Sequence, residues 1–203
     1  MTLCADAPIV MSQQRCLKSG TGCPIRRTSG SPHGGKMTHE EYVQAAEYWK
    51  KNAGVKMEPR QLKTLAEEYI LANNTCALAT GTGDWVRCTP IEYSYHDGAF
   101  WMFTEGGEKF IGLEKNDNVS LAIFDRYTGF GNIKGMQIQG KATVVEPFSE
   151  EYVSAAEYKK IPLEALKKLP SPMHLLKVRP VRLSFLNSDF RKNGAASRQE
   201  LVF

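Results

Sequence analysis

The chain has 203 residues, 42% of them hydrophobic and 10% aromatic, enough apolar mass for the buried core of one ordinary domain, which excludes wholesale disorder and a disulfide-held miniature. Its formal net charge of +4 is confined to residues 1–36, where Arg15, Lys18, Arg26, Arg27 and Lys36 face Asp6 alone, and beyond Met37 acidic and basic side chains balance. Without a concentrated basic face no nucleic-acid partner is expected, and without a long apolar run no membrane span; polar breaks at Asp6, Pro8, Gln13, Gln14 and Arg15 argue against a secretory signal, so the expected compartment is the cytoplasm.

Residues 1–36 hold five glycines, three prolines and four serines with no sustained period, the composition of a disordered N-terminal extension. A single domain with flanking helices is expected over 37–203. Thr38 and Glu41 form a capping box ahead of an amphipathic helix through Tyr42, Val43, Ala45, Ala46, Tyr48 and Trp49. Pro59 starts a second helix carrying Leu62, Leu65, Ala66, Tyr69 and Ile70, expected to end near Asn73-Asn74.

From Thr75 the period becomes that of strands. Cys76–Thr80 is the first, Gly81–Asp84 turns the chain, and Trp85–Tyr95 returns as the second. Asp97-Gly98 marks a type I′ turn, whose central residues need positive φ, so Phe100–Thr104 is antiparallel to the second strand. A helix through Phe110, Ile111, Leu113 and Glu114 to Asn116 follows, then strands Val119–Phe124 and Met136–Glu146. Ser149 caps a helix through Tyr152, Val153, Ala156 and Tyr158, Pro162 begins another, and Leu175–Leu186 is the last strand. The pattern is mainly β with helices, a six-stranded antiparallel barrel. No crossover repeat appears, and Gly129, Gly131 and Gly135 do not match the dinucleotide fingerprint, so a doubly wound nucleotide fold is disfavoured.

Five cysteines (Cys4, Cys16, Cys23, Cys76 and Cys88) include no CxxC pair, and His33, His39, His96 and His174 are scattered. No metal site is expected. Cys76 and Cys88 flank a turn as candidate cross-strand neighbours, both expected reduced. The segment Thr104-Glu105-Gly106-Gly107-Glu108-Lys109 is the most suggestive for chemistry: a strand ends, glycines permit close backbone approach, and a helix begins with a lysine in its first turn. Free N–H groups, the helix dipole and an ammonium favour an anion there. If the hairpin at Asp97-Gly98 pairs residues summing to about 195, Ile91 faces Thr104, and Arg87 and Lys109 converge on that anion.

The runs Cys76-Ala77-Leu78-Ala79-Thr80, Arg87-Cys88-Thr89-Pro90-Ile91, Phe100-Trp101-Met102-Phe103-Thr104, Lys109, Asn118-Val119-Ser120-Leu121, Gln137-Ile138-Gln139-Gly140-Lys141-Ala142 and Val178-Arg179-Pro180, in this order, resemble the FMN-binding split-barrel family typified by pyridoxamine 5′-phosphate oxidase. The resemblance covers roughly 65–187. It implies a split β-barrel that binds FMN, with Arg87 and Lys109 on the phosphate beside Gly107, Cys88, Thr89, Pro90 and Ile91 beneath the isoalloxazine, and Phe103 and Thr104 at the pyrimidine edge and ribityl chain through main-chain groups. It implies a homodimer with flavin at the interface and an oxidoreductase acting on a small molecule. Glu92 and Glu108 stand where that pattern has basic residues, and the C-terminal motif that grips pyridoxamine phosphate is not recognisable in 187–203, so the vitamin B6 reaction is not expected. No catalytic acid, base or nucleophile is singled out, since a flavin carries its own redox chemistry. The alternatives are a haem-binding or haem-degrading split barrel and a non-catalytic flavin-binding module.

Overall fold

The computed structural model describes residues 37–51 and 54–203; the segment 1–36, expected to be a disordered extension, lies outside the described residues. Two units divide the chain, Met1–Ala45 and Ala46–Phe203, and every strand belongs to the second. Helix α1, His39–Lys51, opens on the expected capping box: the Glu41 N–H donates to Thr38 Oγ1 (3.2 Å) and the Thr38 N–H to Glu41 Oε2 (2.7 Å). Helix α2, Pro59–Leu71, starts on Pro59 with the Glu58 carboxylate accepting from the Gln61 N–H at 2.9 Å. Leu62, Ala66, Tyr69 and Ile70 form its buried face. The helix stops just short of Asn73, whose side-chain amide donates to the Tyr69 carbonyl (2.9 Å).

Among the described residues eight strands make one antiparallel sheet: β1 Thr75–Thr82, β2 Trp85–Glu92, β3 Ser94–His96, β4 Ala99–Thr104, β5 Asn118–Phe124, β6 Lys134–Val145, β7 His174–Asn187 and β8 Arg198–Val202. The order is β2-β1-β5-β6-β7-β4-β3, with β8 beside the end of β7. Helices α3 (Lys109–Leu113), α4 (Glu150–Tyr158) and α5 (Leu163–Lys167) decorate it, α4 capped by Ser149 Oγ on the Tyr152 N–H (3.3 Å). The sheet curls into a split barrel, as the sequence implies. Its strand count is eight rather than six, for two reasons. The expected strand Trp85–Tyr95 breaks at Tyr93, whose N–H donates to the Asn74 carbonyl (2.7 Å) and whose buried hydroxyl donates to the Ile70 carbonyl (2.8 Å). Pinned there, the chain pairs with β1 before Tyr93 and with β4 after it. The second reason is β8, too short for its alternation to stand out, with Gln199 and Leu201 inward and Arg198, Glu200 and Val202 outward.

Asp97 and Gly98 take φ of 52° and 67°, the turn that their sequence demands. Alternate residues of β4 enter two cores. Phe100 and Met102 join Leu78, Leu121, Ile138, Val178 and Phe185 inside the curl, while Ala99 and Trp101 pack with Val145, Tyr152, Leu166 and Leu175 beneath α4 and α5. Burial on both faces explains the unbroken apolar run of this strand. The β6–β7 register shifts at Gln139/Gly140. A Cβ on Gly140 would lie 2.7 Å from Val178 Cγ1 and 2.8 Å from the Arg179 carbonyl oxygen, so only glycine fits. The two edges of the sheet, β2 and β3, are consecutive in the chain, and β2 carries Pro90, which an edge strand tolerates.

Candidate functional site

Strand β2 is exposed along most of its length. Arg87, Cys88, Pro90 and Glu92 are open to solvent, Thr89 is half-buried and Ile91 buried. Its register with β1 sets Arg87 opposite Thr80, Thr89 opposite Leu78 and Ile91 opposite Cys76, so these point to the core side, whereas Cys88, Pro90 and Glu92 point outward. The expected pairing of Ile91 with Thr104 is not made. Strand β3 accompanies β4 only as far as Trp101, and Phe103 and Thr104 pair with Leu175 and His174 of β7. Phe103 packs edge-on against Tyr152, with centroids 5.3 Å apart, and Thr104 Oγ1 lies 3.4 Å from the Gly106 N–H.

Arg87 and Lys109 nevertheless come together, through α3. That helix lies against β1 and β2 at Gly112, where a Cβ would stand 2.9 Å from the Gly81 nitrogen and 3.0 Å from the Trp85 ring. Gly106 and Gly107, with φ of 121° and 98°, turn the chain from β4 into α3. Lys109 is only 6% exposed. Its ammonium donates to the Gly106 carbonyl and lies 5.5 Å from the Phe110 ring centre, with no carboxylate paired to it among the described residues. Burial, and secondarily the positive charge of Arg87, hold its pKa below the usual lysine value. Arg87 Nη1 donates to Glu108 Oε2. The other acidic departure, Glu92, is matched by Lys159 at 2.9 Å. One expectation needs correction. Helix α3 has only five residues and its first position lacks a side-chain cap, too short for an aligned dipole, so attraction for an anion rests on the two cationic side chains.

Cys76 and Cys88 face Ile91 and Ala79 rather than each other, so they are not cross-strand neighbours. Both are free; burial pushes the Cys76 thiol up to about 12. Among the described residues no group of three His, Cys, Asp or Glu could hold a metal, and no described helix is long and apolar enough to cross a membrane. Sequence reasoning missed Thr80, directly across from Arg87, whose buried hydroxyl has no hydrogen-bond partner. Counting back from the Gly83-Asp84 turn would have paired the two. A groove of about 560 Å³ takes in Thr80, Trp85, Asn116 and Lys141. A cleft of about 260 Å³ at the other end of β5 and β6 is bounded by Phe124, Arg126, Lys134 and Arg198.

Residues 62–187, more than half of the chain, match the family described as pyridoxamine 5′-phosphate oxidase. The chain belongs to that family. The matched region runs from α2 to the end of β7 and contains Arg87 and Lys109. Among solved structures the chain is similar to Campylobacter jejuni ChuZ (15% identity, TM-score 0.56, covering 82% of this chain and 70% of that one). It is also similar to a haem-binding protein from Mycobacterium smegmatis (17%, 0.52, 73% and 59%) and to a FAD-binding protein from Mesorhizobium loti (16%, 0.51, 61% and 90%). At such identities the shared property is the fold. No curated protein sequence matches. Flavin and haem binders thus share the family's architecture, and the cofactor has to be argued from the site.

Proposed function

We propose that the protein binds FMN through its phosphate and is an oxidoreductase acting on a small molecule. The observation that carries this reading is Lys109, a buried ammonium with no carboxylate partner among the described residues and a guanidinium beside it. With Glu108 on Arg87 the pair still carries one positive charge in excess, and the burial of Lys109 makes that charge costly alone and favourable beside an anionic phosphate. Arg87 and Lys109 hold the phosphate, with the Gly107 backbone close by. Cys88, Thr89, Pro90 and Ile91 line the strand along which the isoalloxazine lies. Phe103 and Thr104 meet the ring edge and ribityl chain through main-chain groups, which fits the end of β3 at Ser94: beyond it, the seam-side main chain of β4 has no strand partner among the described residues. A bound flavin would supply electron and hydride transfer, and the protein's part is orientation and hydrogen bonding.

The site is completed by a second copy of the chain. Strand β2 is solvent-exposed on most of its length and hydrogen-bonded along one edge, with Val86 76% exposed, an edge that monomers seldom leave open. The test is the absorption spectrum of protein purified without added cofactor, followed by anaerobic mixing with NADH and NADPH. A flavin spectrum that bleaches on reduction supports the reading. A Soret band, or a colourless protein that ignores added FMN, overturns it.

A further inference from the structure

We propose that Glu108 is a resident competitor for the anion anchor, a carboxylate that holds Arg87 until a phosphate displaces it; the inference rests on the reading of Arg87 and Lys109 as a phosphate site. The two cations of the anchor are unequal. Lys109 is buried, bonded to the Gly106 carbonyl and free of any described carboxylate, so its charge waits for a ligand. Arg87 is already engaged, by the residue that immediately precedes Lys109 in the chain. The Arg87 and Glu108 side chains are 49% and 59% exposed. A solvent-facing pair of this kind is individually weak, whereas a phosphate presents several oxygens to a guanidinium and can take it bidentately. The carboxylate therefore yields to a phosphate and, because it lies on the surface, swings into water at little cost.

The consequence is selectivity. With Glu108 in place the anchor carries one net positive charge, from two cations and one anion. Weak or singly charged anions gain little by replacing a carboxylate already there, while a phosphate monoester dianion gains both cations. Glu108 thus keeps the anchor closed to carboxylates and other weak anions at the expense of some affinity for the cofactor. Neutralising it without changing its shape should raise that affinity.

The experiment measures FMN and riboflavin binding to the full-length parent, Glu108→Gln, Arg87→Ala and the double variant, with Glu105→Gln as a nearby exposed acid that makes no ion pair with Arg87. The expected result is FMN bound about fivefold tighter by Glu108→Gln, riboflavin unchanged, and the gain reduced below twofold in the Arg87→Ala background, because the carboxylate acts through Arg87. If Glu108→Gln binds FMN no tighter than the parent, while Arg87→Ala weakens FMN, Glu108 is not a competitor and the phosphate site stands. An equal gain from Glu105→Gln, or an undiminished gain in the double variant, reduces the effect to general surface charge and overturns the proposal. A parent that does not prefer FMN to riboflavin, with Arg87→Ala without effect, removes the phosphate site and this inference together.

Discussion

Strands β4 and β2 flank the same seam and differ in almost every other respect. Four of the six residues of β4 are buried and both its faces enter hydrophobic cores, whereas β2, two residues longer, buries only Ile91. Strand β4 has the composition of a strand selected for packing, with Phe100, Trp101 and Met102 in succession. Strand β2 alternates polar and apolar side chains that have little to pack against. Strand β2 contributes little to the core, carries Arg87, Pro90 and the exposed Val86, and is the strand on which the proposed phosphate site rests. The difference separates positions that hold the barrel from positions that use it.

The widest contrast lies between the two thiols. Cys88 faces outward, while Cys76 is buried with its thiol pushed up to about 12. An alkylating reagent at pH 8 should label Cys88 faster by about a thousandfold or more, since the buried thiol is both protonated and shielded until the barrel opens. Mass spectrometry of timed samples reads this, and comparable rates would show that β1 opens readily. Next is Phe100→Ala in β4, which should cost about 3–5 kcal/mol of stability, against about 0.5 kcal/mol or less for Val86→Ala in β2. Chemical denaturation decides it; similar losses at the two sites would erase the distinction between the strands.

Within the anchor, Arg87→Ala and Lys109→Ala should each weaken FMN by about 1.5–3 kcal/mol, tenfold or more. Riboflavin, which lacks the phosphate, should change little. Loss of both ligands together would mean damage to the fold, and loss of neither would remove the site. The depressed pKa of Lys109 also gives binding a pH dependence. A bound dianion favours the protonated amine, so affinity is full while the lysine is charged and falls as pH rises through its lowered pKa, earlier than for an ordinary lysine. Titrations of FMN at rising pH should show this decline in the parent and not in Lys109→Met. The smallest effect is on stability: Lys109→Met removes a buried charge and keeps the aliphatic stem, so the fold should be unchanged or firmer by about 1 kcal/mol while FMN binding drops.

Much of the barrel was legible because its signals are local. The capping box at Thr38 and Glu41, Pro59, the Asp97-Gly98 turn and the Ser149 cap are short patterns that the backbone obeys wherever they stand. The break at Tyr93 was not legible, because it depends on the Asn74 and Ile70 carbonyls, some twenty residues away in sequence. Extending the hairpin arithmetic past that break produced the wrong partner for Thr104. Arg87 and Lys109 still meet, by a different route: α3 lies on the β1–β2 hairpin through Gly81 and Gly112, and a contact between two glycines leaves no trace in hydrophobic periodicity. The pairing of Glu108 with Arg87 and of Glu92 with Lys159 was equally hidden, because each acid is matched by a cation on another element.

One residue, Tyr93, connects the two edges of the sheet, and this limits how the barrel can breathe. Successive Cα atoms are about 3.8 Å apart, so β2 and β3 cannot move away from each other where they join, and Tyr93 is held there by its bonds to Asn74 and Ile70. Any widening of the gap is therefore angular, and smallest at Tyr93. At the Arg87 end, α3, which follows β4 in the chain, lies on the β1–β2 hairpin at Gly112 and sets Glu108 on Arg87. The gap is thus tied at both ends, by a single chain link at one and by a packed helix at the other, and Tyr93→Phe would loosen the first tie without touching the second.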